Sequence, residues 1–374
     1  MYQRRAAGQA AARSSGKSTL YALTMILAHL DLDAFFAAVE ELEDPELRTK
    51  PLVVGGDPHG RGVVATANYE ARKFGIHSAM SCAEALRRCP HAVFIRARHS
   101  LYREYSEHVW ETVRGVVPTL ERTGLDEGYL DMGEVAGSFL QARKVVEAVQ
   151  TAVRATTSLT CSIGVSTSKV VAKIASDHRK PGGLTVVPPG HEAGFLAPFD
   201  VRRLPGVGPK AEQKLVAAGV GTIGDLAVLG ELELKRLLPG SMGRLLHDRA
   251  RGIDPRGLEL QTGRISISVE NTFERDLTDR QVLHAELRRM AERVSQHLRD
   301  TGRTARTVST KLRYTDFSIR SRSRSLRVGI DDAEQIGELA CGLLDRALTD
   351  RPGPLRLVGV GVSGLASHRQ LALV

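Results

Sequence analysis

Apolar residues recur at two different periods along this chain, and the period switches repeatedly with position. Residues 25–33 begin with an apolar run broken only by a histidine before two aspartates. A strand covered on both faces reads this way, so we expect a strand over 26–32. Similar short runs predict strands at 52–55, 63–66, 128–132, 161–165 and 184–187. Between them the spacing lengthens to three and four. That period predicts helices over 36–42, 81–88, 102–116, 142–156 and 169–176. Strands interleaved with helices imply an α/β or α+β core domain. Pro188-Pro189-Gly190 marks its end.

Beyond that boundary the pattern changes twice. Residues 200–262 read as short helices with short loops, and the Gly/Arg-rich stretch 251–263 reads as a linker. From 264 onward the α/β pattern returns. Long helices are expected near 281–299 and 331–348, with strands at 308–314, 318–328 and 355–361. No internal repeat at a solenoid period is present.

Composition sharpens this picture. The 374 residues suit two to three domains. Lysine and arginine number 52 against 43 acidic residues, a net charge of +9, and the pI is about 9.6. A surplus of that size points to a polyanionic partner, although plainly basic proteins share it. The four cysteines, Cys82, Cys89, Cys161 and Cys341, include no C-x-x-C pair. Neither a zinc ribbon nor a redox motif is written here, and a reduced, cytoplasmic setting is expected.

Two decoys lie near the start. An apolar stretch from Leu20 to Leu30 follows Lys17, but it runs directly into acidic residues without a cleavage site and is too short to span a membrane. Gly16-Lys17-Ser18 resembles the end of a phosphate loop, yet position 11 is Ala where that loop needs Gly. Residues 1–24, rich in Ala, Gly, Ser and Arg, are expected to be a disordered basic tail. The tail is then dispensable, or Met25 is a natural start.

Candidate chemistry sits at two strand ends. Alternation along a strand puts Asp31 and Asp33 on one face and Leu32 on the other. Asp126-Glu127 is a second acidic pair, opening another apolar strand. Clustered carboxylates repel one another unless a cation compensates them. Mg²⁺ prefers hard oxygens, commonly a few carboxylates plus substrate phosphates. For Asp33 and Asp131, turn or capping roles are the simpler reading.

The surrounding residues resemble a known family. Asp31-Leu-Asp-Ala-Phe-Phe-Ala-Ala-Val-Glu40 is similar to the first motif of Y-family DNA polymerases, nearest the branch of DNA polymerase IV. Val64-Ala-Thr-Ala-Asn-Tyr-Glu-Ala-Arg-Lys-Phe-Gly75 and Leu125-Asp-Glu-Gly-Tyr-Leu-Asp131 match it too. So do Ser162-Ile-Gly-Val-Ser-Thr-Ser-Lys-Val-Val-Ala-Lys-Ile-Ala-Ser-Asp177 and Lys180-Pro-Gly-Gly. The resemblance runs from about residue 25 to the C-terminus.

It implies an α+β multidomain fold, a right-hand polymerase. A ferredoxin-like palm would hold 25–34 and 97–190, and small fingers 35–96. A helix-hairpin-helix thumb would span 191–258, a linker 259–266, and an α/β little-finger domain 267–368. The implied activity is template-directed addition of dNTPs to a primer 3′-hydroxyl, specialised for translesion synthesis, with low fidelity and no proofreading. Two Mg²⁺ ions would be held by Asp31, Asp126 and Glu127, helped by the Leu32 carbonyl, with Asp33 structural. Thr66, Tyr69, Arg72 and Lys180 would meet the nucleotide, beside Phe35 and Phe36. Phe36 falls at the family's sugar steric gate, while Phe35 should point the other way, into the core. The chain departs from the family at Gly124, commonly Ser, and Gly128, commonly Ala.

Two further segments suggest DNA contact. Leu204-Pro-Gly-Val-Gly-Pro-Lys210 reads as half of a helix-hairpin-helix. Gly206 and Gly208 would let backbone N–H groups approach a phosphate, with Lys210 close by. Between Arg303 and Arg327 lie eight basic residues and one acid. Arg320, Arg322 and Arg324 alternate with serines, so a strand would put them on one face. Gln370-Leu-Ala-Leu-Val374 is similar to a sliding-clamp-binding tail, through Gln370, Leu371 and Leu373. The expected partners are thus primer-template DNA, dNTP and a sliding clamp, with no membrane, for a monomer. The competing reading is a non-catalytic DNA-binding scaffold that keeps the fold.

Overall fold

A computed structural model describes residues 25–238, 240–260 and 263–367. The expected basic tail and the clamp-like residues Gln370, Leu371 and Leu373 lie outside the described residues. The chain divides into two compact units. The first holds Val64–Met80, Glu84–Leu260 and the described residues up to Gly56; the second holds Asp57–Val63, Ser81–Ala83 and the described residues after Leu260.

The first unit is built on a five-stranded sheet. Strand β1 (Leu27–Leu32) lies at its centre, between β6 (Glu127–Asp131) and β7 (Cys161–Ser166). The outer strands are β5 (Leu120–Arg122) and β8 (Leu184–Val186). The near-continuous apolar run of β1 reflects that central place, since both its faces are covered. Ala28, Leu30 and Leu32 join one core with Tyr102, Val109 and Trp110 of the helix His99–Val116. The helix Phe139–Thr157 adds Val146 and Val149 to that layer. The opposite face of β1 meets the helix Lys169–His178, where His29 reaches Ser176. This helix lies so near β7 that a Cβ on Gly164 would fall 2.1 Å from the Ala172 carbonyl oxygen.

A small sheet packs alongside, made of β2 (Leu52–Gly55), β3 (Val64–Ala67) and β4 (Val93–Arg96), with β2 in the middle. Val170, Val171 and Ile174 carry a further core made with Leu204, Leu215, Ile223 and Leu234 of the short helices after residue 200.

The second unit is a four-stranded antiparallel sheet in the order β11-β10-β12-β9. Its strands are β9 (Ser266–Leu277), β10 (Arg303–Tyr314), β11 (Ile319–Ile330) and β12 (Leu355–Ser367). The helices Arg280–Asp300 and Ala333–Asp350 cover one face, through Leu287, Met290, Val294, Ala340 and Leu344. Residues 57–63 belong here because Arg61 donates to Asp276 at 2.6 Å and to the Phe273 carbonyl at 3.1 Å. All four cysteines are buried free thiols. Among the described residues no helix is long and apolar enough to cross a membrane.

Candidate active site

Pairing of β1 with β6 solves the problem that separation in sequence posed. Asp31 and Glu127 are direct cross-strand partners, and the Leu32 N–H donates to the Asp126 carbonyl at 2.9 Å. Cross-strand partners share a face of the sheet. Two acidic clusters therefore meet at one strand end. The Asp126 loop is fixed from behind: Ser106 Oγ and Trp110 Nε1 both donate to the Leu125 carbonyl, at 2.5 and 3.1 Å. Asp33 is buried, accepting from Ser162 Oγ at 2.7 Å and the Gly182 N–H at 2.8 Å. Its carboxylate ties β1 to β7 and the turn after Lys180.

Charge at this strand end is partly balanced by lysines. Lys180 Nζ lies 2.7 Å from Asp31 and 2.8 Å from Asp177. Lys173 pairs with Glu127. Burial pushes the Asp31 carboxyl up to about 6, against the pull of Lys180. Asp126 is raised by burial and by Glu127. His29 was not singled out by its sequence, yet it stands on the same face. Its Nδ1 is 2.8 Å from Ser176 Oγ and its Nε2 is 3.6 Å from Glu127. Burial, with Lys173 and Lys180 adding to it, holds the imidazole neutral. The sequence does not mark Lys173 either. The signal available was its four-residue spacing from Lys169 on a helix whose face meets β1.

Among the described residues no three His, Cys, Asp or Glu side chains close around one point as a finished metal cage. The donor chemistry still fits magnesium. Asp31 and Glu127 face each other across the strands, with Asp126 next in the chain, and Mg²⁺ takes hard carboxylate oxygens and completes its shell with water and substrate phosphate.

The residues expected to meet a nucleotide are placed as follows. Phe35 is 2% exposed in the core, which leaves its backbone alone for a ligand. Phe36 is half-buried and stacks on Tyr102, with centroids 4.2 Å apart and planes 14° apart. Tyr69 opens the short helix Tyr69–Arg72, capped by Asn68. The Arg72 guanidinium lies over the Tyr69 ring at 4.8 Å and donates to the Ala67 carbonyl. The Tyr69 hydroxyl is buried with no hydrogen-bond partner among the described residues. Thr66 is in β3, just before this helix.

Comparison with known proteins follows the same outline. The impB/mucB/samB family matches residues 30–177 and its C-terminal domain matches 264–373. The thumb domain of DNA polymerase iota matches 202–254. A DNA polymerase IV of Streptomyces coelicolor is 44% identical, over 92% of this chain and 72% of that protein. One from Streptococcus mutans is 42% identical, over 93% and 95%. Among solved structures, a Y-family DNA polymerase chimera superposes with a TM-score of 0.83 at 26% identity, covering 92% of this chain and 100% of its own.

The chain belongs to the Y-family of DNA polymerases. It is a DNA-directed DNA polymerase with the right-hand fold of that family. Within the polymerase, the hairpin residues sit as follows. Gly206 has φ +105°, and a Cβ there would come within 3.2 Å of Arg249, whose Nη1 donates to the Pro205 carbonyl at 2.7 Å. Gly208 caps the helix Pro209–Ala217 with open space where a side chain would stand, and Lys210 follows one residue inside that helix. The second helix of the pair, Ile223–Val228, is closed by a capping box of Thr222 and Asp225.

The arginine stripe of the polymerase does share one face of β11. Its direct partners on β10 are Leu312, Thr310 and Val308, all buried beneath the two helices. The stripe therefore edges the helix-bearing side of the sheet. Arg322 pairs with Asp350 at 2.5 Å, whereas among the described residues Arg320 and Arg324 form no ion pair and are exposed. The other side of β10 carries Ser309, Lys311 and Arg313.

Proposed function

We propose that the polymerase adds dNTPs to a primer 3′-hydroxyl on template DNA, specialised for translesion synthesis with low fidelity and no proofreading. The observation that carries this reading is the cross-strand register of Asp31 with Glu127. It sets Asp31 opposite Glu127, with Asp126 adjacent in the chain, which supports a set of carboxylates that could neutralise an in-line phosphoryl transfer.

Asp31, Asp126 and Glu127, with the Leu32 carbonyl, would hold two Mg²⁺ ions. When bound, such a pair activates the attacking hydroxyl and stabilises the pyrophosphate leaving group. The chain's own groups do the rest. Lys180 and Arg72 supply cationic donors for triphosphate oxygens. The unpartnered Tyr69 hydroxyl offers a further hydrogen bond, with Thr66 beside it. Phe36 presents a ring where a ribonucleotide would carry its 2′-hydroxyl. Neutral His29 fills buried space behind Glu127 without adding charge.

DNA is gripped without regard to sequence. Amide groups at Gly206 and Gly208, with Lys210, suit one backbone phosphate, and Arg320, Arg322 and Arg324 suit others. The palm, fingers, thumb and little finger would take the boundaries given above. The protein works as a cytoplasmic monomer, with Gln370, Leu371 and Leu373 meeting a sliding clamp. Primer extension with Mg²⁺ tests the core of this reading. Asp126→Ala should abolish extension while duplex binding persists. Extension at the wild-type rate would remove the carboxylates from the mechanism and favour the scaffold reading.

A further inference from the structure

The ring that would exclude ribonucleotides cannot do so alone. Exclusion by overlap works only if the ring has nowhere to retreat, because a small displacement makes room for one oxygen. What stands behind Phe36 therefore matters as much as Phe36 itself.

Behind it is a closed loop of contacts between two helices. Phe36 stacks on Tyr102, which is fully buried in the helix His99–Val116. The Tyr102 hydroxyl donates to Glu40 Oε1 at 2.5 Å. Glu40 lies four residues after Phe36 on the helix Phe35–Glu43, so both project from one side of it. Arg98, four residues before Tyr102, donates from Nε to the same Oε1 at 3.0 Å and pairs with Oε2. Glu40 is 2% exposed. A charge buried to that degree needs such partners, and with them it fixes its surroundings. A second rung runs parallel, from the Tyr105 hydroxyl to Glu43 at 2.8 Å. His99 closes the edge of Phe36, with centroids 5.9 Å apart. Burial, with Glu40 adding to it, pushes the Tyr102 phenol up to about 12. The phenol thus stays a donor across the working pH range.

We propose that Glu40, clamped by Arg98 and Tyr102, is a positioning residue that sets sugar selectivity by holding the Tyr102 ring rigid behind Phe36. The proposal rests on the gate reading of Phe36 and extends it. No group of the clamp touches the nucleotide. Its effect passes through the stacked ring, so it should alter the choice of sugar more than the rate of synthesis.

The test is single-nucleotide primer extension by the full chain, comparing kcat/KM for dNTP and rNTP. The variants are Phe36→Ala, Tyr102→Phe, Tyr102→Leu, Glu40→Gln and the double variant Phe36→Ala with Tyr102→Leu. Tyr102→Phe keeps the ring and removes only its anchor, so it serves if Glu40→Gln does not fold. Relative rNTP use should rise about two- to tenfold in Tyr102→Phe and Glu40→Gln, the range of a lost stacking constraint, and further in Tyr102→Leu. In the double variant Tyr102→Leu should add nothing to Phe36→Ala. An unchanged sugar ratio in folded Tyr102→Phe and Tyr102→Leu, with Phe36→Ala raising it, overturns the clamp and leaves the gate standing. An unchanged ratio in Phe36→Ala removes the gate, and the clamp with it.

Discussion

Gly128 and Trp110 interlock: a Cβ built on Gly128 would lie 2.6 Å from the indole ring and 2.6 Å from the Glu121 carbonyl oxygen. This contact leaves no room at position 128 for the alanine that the resemblance implies there. The indole fills the space that an alanine methyl would take, and its Nε1 holds the Leu125 carbonyl of the acidic loop. One side chain thus both excludes a methyl beside Glu127 and anchors the residue before Asp126.

Gly128→Ala should therefore destabilise the fold by about 1–3 kcal/mol, the usual range for overpacking, and lower kcat by moving Glu127. Trp110 is the one tryptophan in the chain, so its emission reports the local change directly. Adding Trp110→Phe should recover part of the lost stability. A Gly128→Ala variant with wild-type Tm and emission would contradict the interlock.

Asp31 ties function to a stability penalty. Its folded carboxyl titrates near 6, raised chiefly by burial above an ordinary aspartate. The sign follows from linkage. The native state holds this proton more tightly than the unfolded chain, so the penalty is absent at low pH and grows as pH rises through about 4 to 6. Above about pH 6 it is complete, on the order of 1–3 kcal/mol. In chelator, Asp31→Asn should raise Tm at about pH 8, with the gain shrinking towards about pH 4, while abolishing primer extension. A gain that grew on acidification would refute the assignment.

Much of this arrangement is legible in the sequence, and the misses are physical. β1 is readable because both of its faces are buried. The helix Lys169–His178 is readable because its apolar side is continuous. β9 escapes notice because most of Ser266–Leu277 is polar, and only Ile267, Val269, Phe273 and Leu277 meet the core, partly buried. β5 holds two charged residues in three, so it does not read as an apolar run. Motif matching singles out Asp31, Asp126 and Glu127, but His29 and Lys173 acquire meaning only when β1, β6 and that helix converge. Alternation puts three arginines on one face, yet which side of the sheet that is depends on β10, whose pairing register no local pattern reveals.

That register separates the arginines by role. Arg322 is occupied by Asp350, the acid at the end of the helix Ala333–Asp350, while Arg320 and Arg324 have no ion pair among the described residues. Neutralising Arg320 and Arg324 should weaken duplex binding across all sequences and reduce the slope of log Kd against log salt by about 1–2. Arg322→Gln should change the slope less. Equal slopes for the double variant and wild type, measured by fluorescence anisotropy from about 50 to 300 mM salt, would move the contact elsewhere, with Arg313 on the opposite face as the next candidate.

Tyr69 poses the sharpest contrast between stability and binding. Its hydroxyl is buried with no hydrogen-bond partner among the described residues, and an atom left so costs about 1–3 kcal/mol. Burial also pushes the phenol up to about 12, so it remains a donor. A donor kept at that penalty is best explained by a ligand that accepts its hydrogen bond. Tyr69→Phe should then stabilise the free protein, raising Tm, and increase KM for dNTP several-fold while retaining the Arg72 stack. The two effects have opposite signs, so a general loss of structure cannot imitate them. A variant with higher Tm and unaltered KM would mean that the hydroxyl is merely tolerated, and would take Tyr69 out of the nucleotide pocket.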